Sequence, residues 1–234
     1  MRKFFSYITL LLIVLPFMSC QEKKAEANVP KWILSMVSES KNTSVETDFS
    51  NILSDKSVPY IGYIGTEYQK FTIDIQKVQR TDDNQYAVSG ITAVKSNRCN
   101  FHGTINIVEN REFTHPTYGV DDSMKGQFKR RGCSIAKYNF EEEKSQTGSG
   151  VFTGYLLFYW YETNDGKFVY DDIDSHSDSY CNIQYAGTWT SNKTKKSKPC
   201  AWGQYRVPNS GDLDIGAGDF SVNPKYAKNG WEKK

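Results

Sequence analysis

The chain has 234 residues, of which 24% are charged and 14% aromatic, and a formal net charge of +2. Arg2 and Lys3 are the only charges in residues 1–19, so the remainder carries 27 basic residues (29 less these two) against 27 acidic ones. That balance excludes the one-sided basic excess of a nucleic-acid-binding protein. The aromatic content supplies enough burial per residue for one packed domain rather than a disordered chain.

The start of the chain reads as a targeting segment. The two basic residues precede an apolar stretch, Phe4 to Phe17, broken by Ser6, Tyr7 and Thr9, and a polar run begins at Gln21. A basic start, a short apolar core and a small residue before the cut form a secretory signal. The core is shorter than the roughly 20 residues a membrane-spanning helix requires. Phe17-Met18-Ser19-Cys20 resembles the lipobox of bacterial lipoproteins, with Phe17 where that family prefers leucine. The resemblance implies removal of residues 1–19 and acylation of Cys20, palmitate included. Acyl chains contribute about 0.8 kcal/mol per buried CH₂, and two or more hold a protein at a bilayer. Gln21 is not the aspartate of an inner-membrane retention signal, so the resemblance implies the outer membrane of a Gram-negative envelope. The alternative is an ordinary signal peptide with Cys20 in a disulfide. Residues 20–29 form a polar tether.

Four further cysteines, Cys99, Cys133, Cys181 and Cys200, are even in number in an exported chain and predict disulfides. Their spacing matches no metal or redox motif.

Along the chain, residues 32–37 have the character of a short helix or strand, and 38–57 that of a loop with one helical turn. From Pro59 the apolar period becomes two. Phe71, Ile73 and Ile75 alternate with Thr72, Asp74 and Gln76, and strands around 86–94 and 99–108 follow across short polar turns. Residues 109–132 read as a long loop or frayed hairpin. Strand character returns at 134–140, and 151–161 is the strongest strand, with Leu156, Phe158 and Trp160 on one face and Tyr155, Leu157, Tyr159 and Tyr161 on the other. Asp165-Gly166 is a hairpin signal. An acidic loop spans 171–179, a strand 180–190, and 191–234 reads as an irregular arm on the domain formed by 30–190, with a short strand at 199–206. The expected fold is therefore all-β, an antiparallel meander closing into an up-and-down barrel, with a β-sandwich as the alternative. Its outline resembles a lipocalin-type barrel in architecture alone, since no lipocalin motif is present.

The candidate sites are sparse. Tyr155, Tyr159, Trp160, Tyr161, Trp189 and Trp202 are candidate binding aromatics, because Tyr and Trp dominate binding hot spots. Asp172, Asp174, His176 and Asp178 alternate along one side of an extended chain, a spacing that suits oxygen ligands for Ca²⁺, although the expectation is no metal and no cofactor. The set His102, His115 and His176 has no ligand spacing. Asp212 to Asp219 lacks the glycine and glutamate of a calcium loop, and Gly216-Ala217-Gly218 the third glycine of a dinucleotide turn. No nucleophile elbow is present, and no catalytic residue is assigned. Asp122-Ser123-Met124 resembles a bacterial O-glycosylation acceptor. Together with Gly211-Asp-Leu-Asp-Ile-Gly-Ala-Gly218, the whole resembles bacterial surface lipoproteins. The expected function is a non-catalytic binding module anchored through Cys20, for a small apolar or saccharide ligand. The alternatives are a protein-interaction lipoprotein, an inhibitor or immunity protein against a toxin or lysozyme, and an envelope hydrolase.

Overall fold

The computed structural model describes residues 29–175 and 181–232. Cys20, residues 21–28, His176 and Asp178 lie outside them. In chain order the elements are α1 (Lys31–Met36), β1 (Ser40–Asn42), α2 (Ser50–Leu53), β2 (Ile61–Ile64), β3 (Gln69–Asp82), β4 (Gln85–Val94) and β5 (Asn97–Phe113). Then come β6 (Phe128–Glu142), β7 (Gly150–Thr163), β8 (Phe168–Tyr170), β9 (Gln184–Ser191), β10 (Ser197–Gly203) and a 3-10 helix (Pro224–Asn229).

The fold is antiparallel β throughout. Strands β2 to β7 pair in sequence, β9 pairs β7, β10 pairs β9, and β10 returns to β2. This nearest-neighbour order closes an up-and-down ring of eight staves, which removes the free edges a sheet of this length would expose. The ring is uneven. β1 takes the edge of β5 at Arg111–Phe113, beyond the end of β4, and β8 takes the edge of β7 at Trp160–Glu162, beyond the end of β9.

Alternation decides what faces inward. On β3, Phe71, Ile73 and Ile75 are buried while Thr72, Asp74 and Gln76 are exposed. The interior is packed with aromatic rings. Trp202 stacks on Tyr185 at 4.8 Å and meets Phe71, Tyr138 and Phe152. The Trp160 indole lies flat against Gly132, where a Cβ would stand 2.8 Å from the ring, and its Nε1 donates to Ser134 Oγ at 2.9 Å. One end, the base, is plugged by α2 and the residue that caps it, Phe49, which meets Phe158 edge-on at 5.1 Å. The interior is therefore a filled core rather than a ligand chamber.

Two outer layers cover apolar patches on the barrel wall. Ile33 of α1 and Val37, just after it, pack on Cys133, Ile135, Leu157 and Tyr159. The stretch after β10 packs Val207, Leu213 and Trp231 on Tyr63, Ala186 and Ala201. The β7 faces read from the sequence match this arrangement, with Leu156, Phe158 and Trp160 inside and Leu157 and Tyr159 under α1. β5 and β6 extend farther than the sequence pattern indicates, so the connection between them is confined to 114–127. β10 is a stave of the ring rather than part of an arm. The short strand expected at 199–206 is present as Ser197–Gly203, but its place in the ring was not expected.

Among the described residues the predicted disulfides are absent: Cys99, Cys133, Cys181 and Cys200 form no bond with one another. Three of them face different parts of the barrel. Cys200 faces the barrel core, Cys133 the outer wall under α1, and Cys99 approaches the β6–β7 hairpin, where its Sγ lies 3.6 Å from the Thr147 carbonyl. Burial pushes the Cys133 and Cys200 thiols up to about 12 and raises Cys99 as well, which suppresses the thiolate needed for reaction. Among the described residues, no helix is long and apolar enough to cross a membrane.

Candidate functional site

Opposite the α2 plug, the barrel ends in four tight hairpins: β2–β3, β4–β5, β6–β7 and β9–β10. All four border one cleft of about 350 Å³. Ile64, Val94, Phe152 and Trp189 form its apolar walls, with Gln69, Asn97 and Lys198 among its polar lining. Ligand sites are typically concave, mostly apolar and furnished with a few convergent polar groups, and this volume falls at the lower end of their range.

The cleft is held by Glu142, which is only 5% exposed. Its position follows from the period-two pattern of β6, where Tyr138, Phe140 and Glu142 all point inward. One carboxylate oxygen accepts from Thr92 Oγ1; the other accepts from Gly150 N at 2.7 Å and Trp189 Nε1 at 2.9 Å. Gly150 is required for this contact, because a Cβ there would stand 2.4 Å from the Trp189 indole. These hydrogen bonds offset the cost of burying the carboxylate. They also occupy three of its roughly four lone-pair sites, leaving about one for a ligand donor. The hairpins are tied to one another: Gln146 Oε1 accepts from Asn100 N at 2.7 Å, Asn192 N donates to Ser149 O at 3.0 Å, and Gly65 N donates to Pro199 O at 2.7 Å. The mouth is thus preorganised, with one face of Trp189 carrying Lys198 Nζ at 5.9 Å from the ring centre.

A second polar cluster lies outside the barrel wall near the base. Arg131, on the outward face of β6, is 4% exposed; its guanidinium donates to Asp171 Oδ2, to Asp174 Oδ2 at 2.9 Å and to the Thr117 carbonyl at 3.0 Å. Asp174 also accepts from Thr117 Oγ1 at 3.2 Å, and Cys181 Sγ lies 3.4 Å from Asp171. Burial pushes the Asp171 carboxyl above its usual range, and Arg131 counteracts this. Burial, then the Asp171 charge, raise the Cys181 thiol far above its ordinary value, so Cys181 is not poised as a nucleophile. This cluster fastens the connections before β6 and after β8 to the wall.

A third cleft, also at the base, is bordered by Tyr161, Tyr170 and Tyr205 with Asp55 and Asp172.

The candidate aromatics disperse instead of forming one surface. Trp160 and Trp202 are core residues, Tyr159 is buried beneath α1, and Tyr155 is a half-buried wall residue under Lys137. Tyr161 lines the base cleft and Trp189 the mouth. Of the acidic series, Asp174 is turned inward onto Arg131 while Asp172 borders the base cleft; no group of metal-ligating side chains forms among the described residues. Sequence reading missed Glu142, which looked like part of the polar turn Glu141–Gly150. Carrying the β6 alternation two residues past Phe140 would have found it.

No family model, curated protein or solved structure matches the chain.

Proposed function

We propose that this protein is a non-catalytic binding module of the bacterial cell envelope, anchored through lipid on Cys20, and that its small apolar-faced or saccharide ligand sits in the mouth cleft. The observation that carries the reading is the cleft itself: an apolar concavity with an indole wall and a buried, hydrogen-bonded carboxylate, on a barrel whose interior has no room for a ligand. The anchor rests on the basic start, the apolar core and Phe17-Met18-Ser19-Cys20. The filled barrel also favours a second reading, a protein-interaction lipoprotein that uses the barrel as a rigid scaffold.

Two experiments test the two halves. Cys20→Ala is expected to leave an uncleaved, unacylated precursor in place of the mature lipoprotein; normal acylation and membrane retention of that variant would contradict the anchor. For the cleft, a panel of mono- and oligosaccharides is titrated against the lipidated protein in uncharged detergent, read by isothermal titration calorimetry. Trp189→Ala is expected to weaken a binding saccharide by about tenfold or more, the magnitude of losing one well-placed aromatic contact. Binding unaffected by Trp189→Ala, or sensitive to Tyr161→Ala instead, would move the site to the base.

A further inference from the structure

Charge is distributed unevenly along the barrel axis. Around the ring the four mouth hairpins occur in the order β2–β3, β4–β5, β6–β7, β9–β10, so the second and fourth face one another across the cleft. These two carry most of the mouth cations: Lys95 and Arg98 on β4–β5, and Lys193, Lys195, Lys196 and Lys198 on β9–β10, all exposed, with Lys144 on β6–β7 beside Glu143 as a further one. The ion pairs formed by the described residues lie elsewhere, on the wall, at the base or on the C-terminal arm, and none includes any of these cations. At the base, by contrast, Arg80, Arg111, Arg130 and Arg131 are each matched to a carboxylate. Acidic side chains at the mouth sit on the other two hairpins, with Glu67 on β2–β3 and Glu143 on β6–β7. The Glu142 charge is turned inward onto Thr92, Gly150 and Trp189.

We infer that the mouth recognises an anionic saccharide, a glycan whose rings carry carboxylate or phosphate groups. This rests on the mouth-cleft reading above and narrows its ligand. A sugar ring presents an apolar face to Trp189 while its hydroxyls reach Glu142, Gln69 and Asn97. Acidic substituents on either side of the ring then meet the cations of the two opposed hairpins. A cleft rimmed by one sign of charge focuses its field on the opening and raises the local concentration of the opposite ion. A neutral apolar ligand would make no use of a cationic rim, and a flat membrane surface would make no use of a recessed indole.

The test compares oligogalacturonate, with one carboxylate per ring, with its fully methyl-esterified counterpart, using the full-length lipidated protein in uncharged detergent. Oligogalacturonate is expected to bind at least about tenfold tighter, the sum of a few exposed ion pairs, and to lose that advantage as salt is raised. The triple variant Lys195→Ala, Lys196→Ala, Lys198→Ala is expected to bind both saccharides alike. Equal binding of the two by the wild type would overturn the anionic preference and leave the mouth cleft standing. Failure of both to bind would overturn the preference and the cleft reading together. Stronger uptake into phosphatidylglycerol than into phosphatidylcholine vesicles, abolished in the triple lysine variant and with binding to neither saccharide, would overturn the inference in favour of a membrane contact.

Discussion

Arg131→Ala is expected to destabilise the domain by about 3–5 kcal/mol, the usual cost of breaking a buried ion pair from one side. The side chain is 4% exposed, and its removal leaves Asp171 and Asp174, 0% and 5% exposed, without their cation. Total stabilities are of the order of 5–15 kcal/mol, so the loss is a large fraction of the whole. Arg131→Lys keeps the charge but cannot reach Asp171, Asp174 and the Thr117 carbonyl together, and is expected to fall between the wild type and alanine. Urea unfolding of the purified protein measures both. An alanine variant within about 1 kcal/mol of wild type would mean that the cluster is no more than a surface ion pair.

Trp202→Ala is expected to cost a similar 3–5 kcal/mol for a different reason. The residue is fully buried at the centre of the barrel, in ring contact with Phe71, Tyr138, Phe152 and Tyr185. Truncation opens a cavity that a closed ring of hydrogen-bonded staves cannot collapse to fill. Trp202→Phe is expected to cost much less than alanine. Its lost volume is smaller, and the indole Nε1 has no hydrogen-bond partner, so removing it relieves an unpaired buried donor. Unfolding curves and near-ultraviolet dichroism distinguish the two variants. If phenylalanine were as damaging as alanine, Nε1 would be making a hydrogen bond that these contacts do not account for.

The fold was legible where one face of a strand is apolar and the other polar. β3 declares itself through Phe71, Ile73 and Ile75, and β7 through two faces that separate cleanly into core and α1 contacts. For β10 the short strand was legible but not its place, since the run Cys200-Ala201-Trp202 says nothing of the β2 and β9 partners that make it a stave. Legibility failed where charge interrupts the pattern: Arg130 and Arg131 made the start of β6 look like loop, yet both are held there by carboxylates from other strands or connections. Disulfides were expected from the number of cysteines and the expected export, but neither carries information on which strands face each other. The site was less legible than the fold. Trp189 was singled out for its residue type, whereas Glu142 and the two opposed cationic hairpins acquire meaning only when the ring closes and brings four separate turns to one mouth.

The most direct test of the central claim is native mass spectrometry of the lipidated protein, purified gently from its own envelope in uncharged detergent, alongside Trp189→Ala. The account predicts a reproducible small-molecule adduct on the wild type that Trp189→Ala loses. A bare wild-type protein, an adduct that survives in Trp189→Ala, or a protein-sized partner in place of a small molecule would contradict it.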